Sequence, residues 1–144
     1  MLTVDQAITE LIKQSSVIVD IETEPVSECS GRVLAQDVIA SIDVPPADNS
    51  AMDGYAYCYQ DALKSRFTLI VSQRIPAGRA PTRLEPGTAA RIFTGAEIPE
   101  GANCVAMQEN CSEIDGSVIV DAKAISGGNI RPRGQDVASG ATIL

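Results

Sequence analysis

Apolar residues near the start of the chain recur at Val4, Ala7, Ile8, Leu11 and Ile12, the three-to-four spacing of one helix face. The pattern predicts a helix to about Gln14, opened by a capping box in which Thr3 is the N-cap and Gln6 reaches back. Its polar face mixes acids, amides and a lysine, which predicts a core helix rather than one lying on a membrane surface. Residues 17–21 are β-prone, and Pro25 opens a stretch that predicts a second short helix ending near Gly31, a C-cap position. Residues 38–40 then lead in extended form to Pro45 and Pro46.

Beyond Gly54 the pattern changes. Short β-prone runs at 67–71, 89–93, 104–107 and 117–120 alternate with Pro-Gly and Gly-rich turn signals. Asp115-Gly116 between two such runs predicts a hairpin. The sequence stops on the apolar, β-prone segment Ala141-Thr142-Ile143-Leu144. The expected class is α+β, mainly β: a β-sheet or barrel-like lobe after an α/β opening.

Composition narrows the chemistry. The 144 residues are 44% hydrophobic but only 3% aromatic, which describes an aliphatic core. A net charge of −8 argues against nucleic-acid binding through phosphate contacts. There is no histidine, so the chain supplies no histidine base, and its four cysteines form no C-x-x-C pair, which argues against a zinc site. No apolar run reaches the length of a membrane span, and no signal peptide is visible, so a cytoplasmic protein with reduced thiols is expected. Charge is unevenly spread. Residues 62–96 hold Lys64, Arg66, Arg74, Arg79, Arg83 and Arg91 against the single acid Glu85, which suits an anionic ligand or an acidic partner.

Four oxygen-bearing side chains, Asp48, Asn49, Ser50 and Asp53, fall close together after the two prolines. Asp48 or Ser50 capping a helical turn at 51–52, with Asp53-Gly54 as a tight turn, is one reading; carboxylates that orient a substrate or cation is the other. Thr94-Gly95-Ala96, after an expected strand, either grips an anion with free N–H groups or ends the strand in a turn. Arg131 and Arg133 project to one side of an extended backbone, where they either fork a phosphate or carboxylate or pair with the chain's own acids. Asp136 is a further candidate carboxylate, or a turn cap.

The run at 45–56, Pro-Pro-Ala-Asp-Asn-Ser-Ala-Met-Asp-Gly-Tyr-Ala, resembles the signature of the MoeA–gephyrin family of molybdopterin molybdenumtransferases. Two later blocks agree in the family's order: Arg91-Ile-Phe-Thr-Gly-Ala-Glu-Ile-Pro-Glu-Gly and Asn129-Ile-Arg-Pro-Arg-Gly-Gln-Asp. Ala47, Asn103 and Gln135 depart from the family's usual Phe, Asp and Glu. The resemblance implies a mainly β lobe (45–137) inserted into an incomplete α/β lobe (1–44 and 138–144), with the family's catalytic and C-terminal β domains absent. It implies insertion of molybdenum from molybdate into adenylylated molybdopterin, with Mg2+, in a cleft completed by a homodimer partner. On that plan Asp53, Thr94 and Asp136 are the catalytic candidates and Asn49, Ser50, Arg131 and Arg133 the substrate-binding ones, with no metal ligand assigned. No cofactor is expected on this chain alone, nor turnover. The alternative is a non-catalytic dimerisation or docking module that binds a protein partner.

Overall fold

Thr3 opens the first helix, α1 (Val4–Gln14), with the expected capping box: the Gln6 N–H donates to Thr3 Oγ1 at 3.3 Å and the Thr3 N–H to Gln6 Oε1 at 3.0 Å. The protein is described by a computed structural model over residues 2–17, 19–121 and 125–144. The chain divides into two compact units, Met1–Asp37 and Val38–Leu144. The stripe on α1 is not a core face, because no residue of the helix is buried and Val4 and Leu11 are 76% and 70% exposed. The reason is local. Among the described residues of this unit the only other regular element is a 3-10 turn at Val26–Glu28, so no apolar layer is available to cover the stripe. That single turn replaces the longer helix expected for 25–31, although Gly31 does take the left-handed φ of +80°. Residues 17 and 19–21 form no strand, and Ile18 lies outside the described residues.

The second unit contains β1 (Asn49–Ser50), β2 (Gly54–Tyr57), α2 (Tyr59–Lys64), β3 (Thr68–Ile75), β4 (Thr88–Ile92), β5 (Cys104–Met107), β6 (Cys111–Ile114), β7 (Ser117–Val120) and β8 (Ile130–Arg131). Six strands form one curled, half-barrel sheet in the order β5-β2-β4-β3-β7-β6. Only β3 and β4 run parallel; the other neighbours are antiparallel. The four runs read as strands are β3, β4, β5 and β7. Phe67 is excluded from β3, since Arg66 and Phe67 both hold positive φ where the chain leaves α2. Asp115 and Gly116, with φ of +48° and +76°, make the two-residue hairpin loop between β6 and β7.

Gly54 is the main correction. It does not turn the chain with a positive φ; it opens β2, a strand buried along its whole length between β4 and β5. A Cβ there would collide with the backbone carbonyl of Ala106 and lie 3.2 Å from the Gln108 nitrogen, so the residue is set by close strand approach. Alternation about this strand builds two cores. Tyr55 and Tyr57 face Leu69, Cys104, Ala106 and Val118 on one side. Ala56 faces Ile75, Leu84, Ile92 and Val105 on the other. Each fully buried aliphatic side chain contributes about 1.5–3 kcal/mol.

The ends of this unit lie against one another. The Val38 and Ala40 N–H groups donate to the Leu144 and Ala141 carbonyls at 3.0 and 2.8 Å, and Val44 and Val137 form an antiparallel bridge. The polar block after Val44 is thereby held beside residues 133–137.

Candidate functional site

Backbone pairing draws three distant blocks into one place. On one side of residues 48–51, the Ser50 N–H donates to the Ala96 carbonyl at 2.9 Å, Gly95 N–H to Ser50 O at 2.8 Å and Ile98 N–H to Asp48 O at 2.9 Å. On the other, β1 pairs with β8, Asn49 opposite Arg131, and the Ala51 N–H donates to Asn129 O at 2.9 Å. The first block is therefore the middle ribbon between the second and third.

Asp53 follows directly, just before β2, and its side chain crosses to the end of β4. Its Oδ1 accepts the Thr94 backbone N–H at 2.8 Å and the Thr94 hydroxyl at 2.7 Å. Those two bonds, the backbone one first, hold the carboxyl below the ordinary aspartate value of 3.8; the Arg91 charge adds to them and slight burial opposes them. Asp53 Oδ2 makes no hydrogen bond among the described residues. The Gly95 and Ala96 N–H groups go to Ser50 O and Phe93 O, so residues 94–96 do not offer a row of free N–H donors. They form the strand-ending turn, and Thr94 serves Asp53.

Arg91 supports this contact and was not singled out in the sequence. Its guanidinium lies 5.2 Å from the Tyr55 ring centre and 4.5 Å from that of Phe93, and donates to the Gly54 and Ile92 carbonyls and to Gln108 Oε1. The legible signal was a lone arginine inside the otherwise apolar run Thr88–Ile92, since a charge in a half-buried strand needs dedicated partners.

The third block pairs with acids inside and outside itself. Arg131 binds Asp136 at 2.5 Å, and Arg133 binds Asp43 at 2.5 Å while its N–H donates to Asp48 Oδ1 at 2.7 Å. Asp43 also accepts the Ser139 N–H at 2.8 Å; that bond first, then the Arg133 side chain, lowers its pKa. The two arginines thus hold acids of the same chain. No hydrogen bond or ion pair joins the Asp53–Thr94 pair to the Arg131–Asp136 pair among the described residues.

Ser50 is 1% exposed; its hydroxyl donates to Met52 O at 2.6 Å and caps no helical turn, because residues 51–53 form a bend. Asn49 is half-buried and its Oδ1 is a buried acceptor without a hydrogen-bond partner among the described residues. Among the described residues no cluster of three or more acids or cysteines could hold a metal ion. Magnesium takes six oxygens, usually one or two carboxylates with water and phosphates. Asp53, with one oxygen already doubly bonded, does not make such a site by itself.

The family described as the MoeA N-terminal region (domain I and II) matches residues 2–144. The chain belongs to this family. A molybdopterin molybdenumtransferase 2 of Mycobacterium tuberculosis is 42% identical over 127 residues, 85% of this chain and 31% of that protein. The molybdopterin molybdenumtransferase of Haemophilus influenzae is 39% identical over 146 residues, 100% of this chain and 36% of that one. A crystal structure of a molybdopterin biosynthesis MoeA protein from Pyrococcus horikoshii matches with a TM-score of 0.82 at 30% identity, over 94% of this chain and 36% of that one. The chain spans about a third of the length of the relatives it matches. The mainly β, MoeA-like fold expected from the sequence is therefore the fold present. Among the described residues no helix is long and apolar enough to cross a membrane.

Proposed function

We propose that this MoeA N-terminal region works as part of a molybdopterin molybdenumtransferase, supplying one wall of the site where molybdenum from molybdate enters adenylylated molybdopterin. The observation that carries the reading is Asp53, an ionised carboxylate clasped through one oxygen by Thr94 and left open at the other. Thr94 fixes the rotation of the carboxylate, and Oδ2 accepts a hydrogen bond from substrate or from an ordered water. Asn49 Oδ1, a buried acceptor without a hydrogen-bond partner among the described residues, is a second contact on the same ribbon. Arg131 and Asp136 belong to the proposal as a pair whose charges a substrate could reorganise.

Four further parts of the proposal rest on the resemblance. The lobes are 1–44 with 138–144, and 45–137. The opposite wall comes from a homodimer partner, and the exposed stripe of α1 supports a surface that a partner covers. The setting is cytoplasmic, and magnesium takes its protein ligands outside this chain.

Asp53→Asn and Thr94→Val in the full-length protein test the reading. Formation of molybdenum cofactor with release of AMP should fall by about a hundred-fold or more for Asp53→Asn, the lower range for a positioned acid–base group, with the thermal midpoint preserved. Normal turnover would remove Asp53 from the chemistry. Loss of the fold together with activity would make it a loop fastener.

A further inference from the structure

Arg74 and Arg91 stand side by side in the parallel pairing of β3 with β4, and both guanidiniums lie against Phe93, at 4.7 and 4.5 Å from its ring centre. Like charges at paired strand positions repel. Arg91 is offset by two carbonyls, by Gln108 and by the Asp53 charge. Arg74 has no hydrogen bond and no carboxylate among the described residues; its one partner there is the Phe93 ring.

The loop after β3 brings a second cation to the same place. Ala77-Gly78 turns the chain, with Gly78 at φ +80° and the Arg79 N–H donating to Pro76 O at 3.3 Å. Thr82 then returns to β3: its hydroxyl donates to Gln73 Oε1 at 2.9 Å, and Gln73 Nε2 donates to Thr82 O at 3.1 Å. The closed loop leaves a hollow of about 280 Å³ lined by Gln73, Arg74, Ile75, Arg79 and Thr82. Arg79, like Arg74, has no carboxylate partner among the described residues. Within 62–96 the only acid is Glu85.

We infer that Arg74 and Arg79 form a binding site for a small, soluble, phosphoryl-bearing anion seated in this hollow. Two guanidinium forks present several N–H donors in fixed planes, which suits a multiply charged tetrahedral group better than a single carboxylate. The stack on Phe93 limits the rotamers of Arg74, so less side-chain entropy is lost on binding. The site does not depend on the reading of Asp53 and Thr94.

Titration of inorganic pyrophosphate into the 144-residue chain, followed by NMR at the arginine Nε–Hε signals, tests it. Saturable shifts at Arg74 and Arg79 are expected, with affinity reduced about ten-fold or more in R74Q/R79Q. R79Q alone, on an exposed loop, should also weaken binding and guards against a fold defect from the strand position. Thr94→Val, which leaves the Asp53 charge in place, should bind as the parent does, which separates this site from the proposed activity. Non-saturating shifts spread over Arg32, Arg66 and Arg83, or an unchanged affinity in R74Q/R79Q, would overturn the inference.

Discussion

Replacing Gly54 with alanine adds one methyl group where β2 runs between β4 and β5. The new Cβ would run into the Ala106 carbonyl, with the Ala106 carbonyl carbon at 2.8 Å and the Gln108 nitrogen at 3.2 Å. All three atoms are backbone, so no rotamer change relieves the contact and β5 must move away from β2. Overpacking of side chains typically costs 1–3 kcal/mol, and a backbone obstacle belongs at or above the top of that range, about 3 kcal/mol. For a small domain with a urea slope of about 1.5 kcal/mol/M, that lowers the unfolding midpoint by about 2 M. Gly78→Ala is the control, since no atom lies within 4 Å of a Cβ there and only the positive φ is strained, at about 1–2 kcal/mol. Chain entropy alone would make either alanine stabilising by about 0.4–1 kcal/mol. Urea unfolding of Gly54→Ala within about 0.5 kcal/mol of the parent, or milder than Gly78→Ala, would refute the reasoning.

Asp43→Asn should loosen the junction between residues 43–44 and 133–139, because it weakens acceptance of the Ser139 N–H and the Arg133 pair. Faster amide exchange at Ser139 and Val137, with β2 amides unchanged, is the expected readout. The carboxyls of Asp43 and Asp53 are both held below 3.8 in the folded chain, so their contribution to stability is complete above about pH 4 and is lost as pH falls through the lower folded values. Chemical denaturation at successive pH values should show that acid loss, and Asp43→Asn should flatten it. Among the cysteines, burial pushes the Cys111 thiol up to about 11 and raises that of Cys104, whereas Cys29 is exposed. A thiol reagent at pH 8 should therefore label Cys29 first and leave Cys104 and Cys111 until the chain unfolds.

Much of the sheet was legible because its strands carry β-branched residues between clear turn signals, as in Asp115-Gly116. The buried strand β2 was not. Gly54–Tyr57 is buried on both faces, so it shows no alternation, and the preceding Asp-Gly pair imitates a turn. Helix α2 was missed because its cap is remote: Cys58 supplies none, and Asn103 Oδ1 accepts the Tyr59 N–H at 2.8 Å from another part of the chain. The stripe of α1 was read correctly as a helix and wrongly as a core face, since periodicity records what must be covered and not what covers it. At the candidate site, local chemistry picked out the residues of all three blocks but left a structural and a functional reading open for each, and only the resemblance joined them. Arg131 meets Asp136 only five residues further on, but that Arg133 pairs with Asp43 depends on residues 43–44 lying beside 133–137, a pairing no local pattern encodes.

Beyond the backbone pairing, the bond between Asp53 and Thr94 is what ties the side chains of the first block to the second. A pH titration of the Asp53 side-chain carboxyl by 13C NMR, in the parent and in Thr94→Val, measures it directly. The expected result is a pKa below the ordinary aspartate value in the parent that moves up towards 3.8 when the hydroxyl is removed. An ordinary value in the parent, unmoved by the substitution, would contradict it.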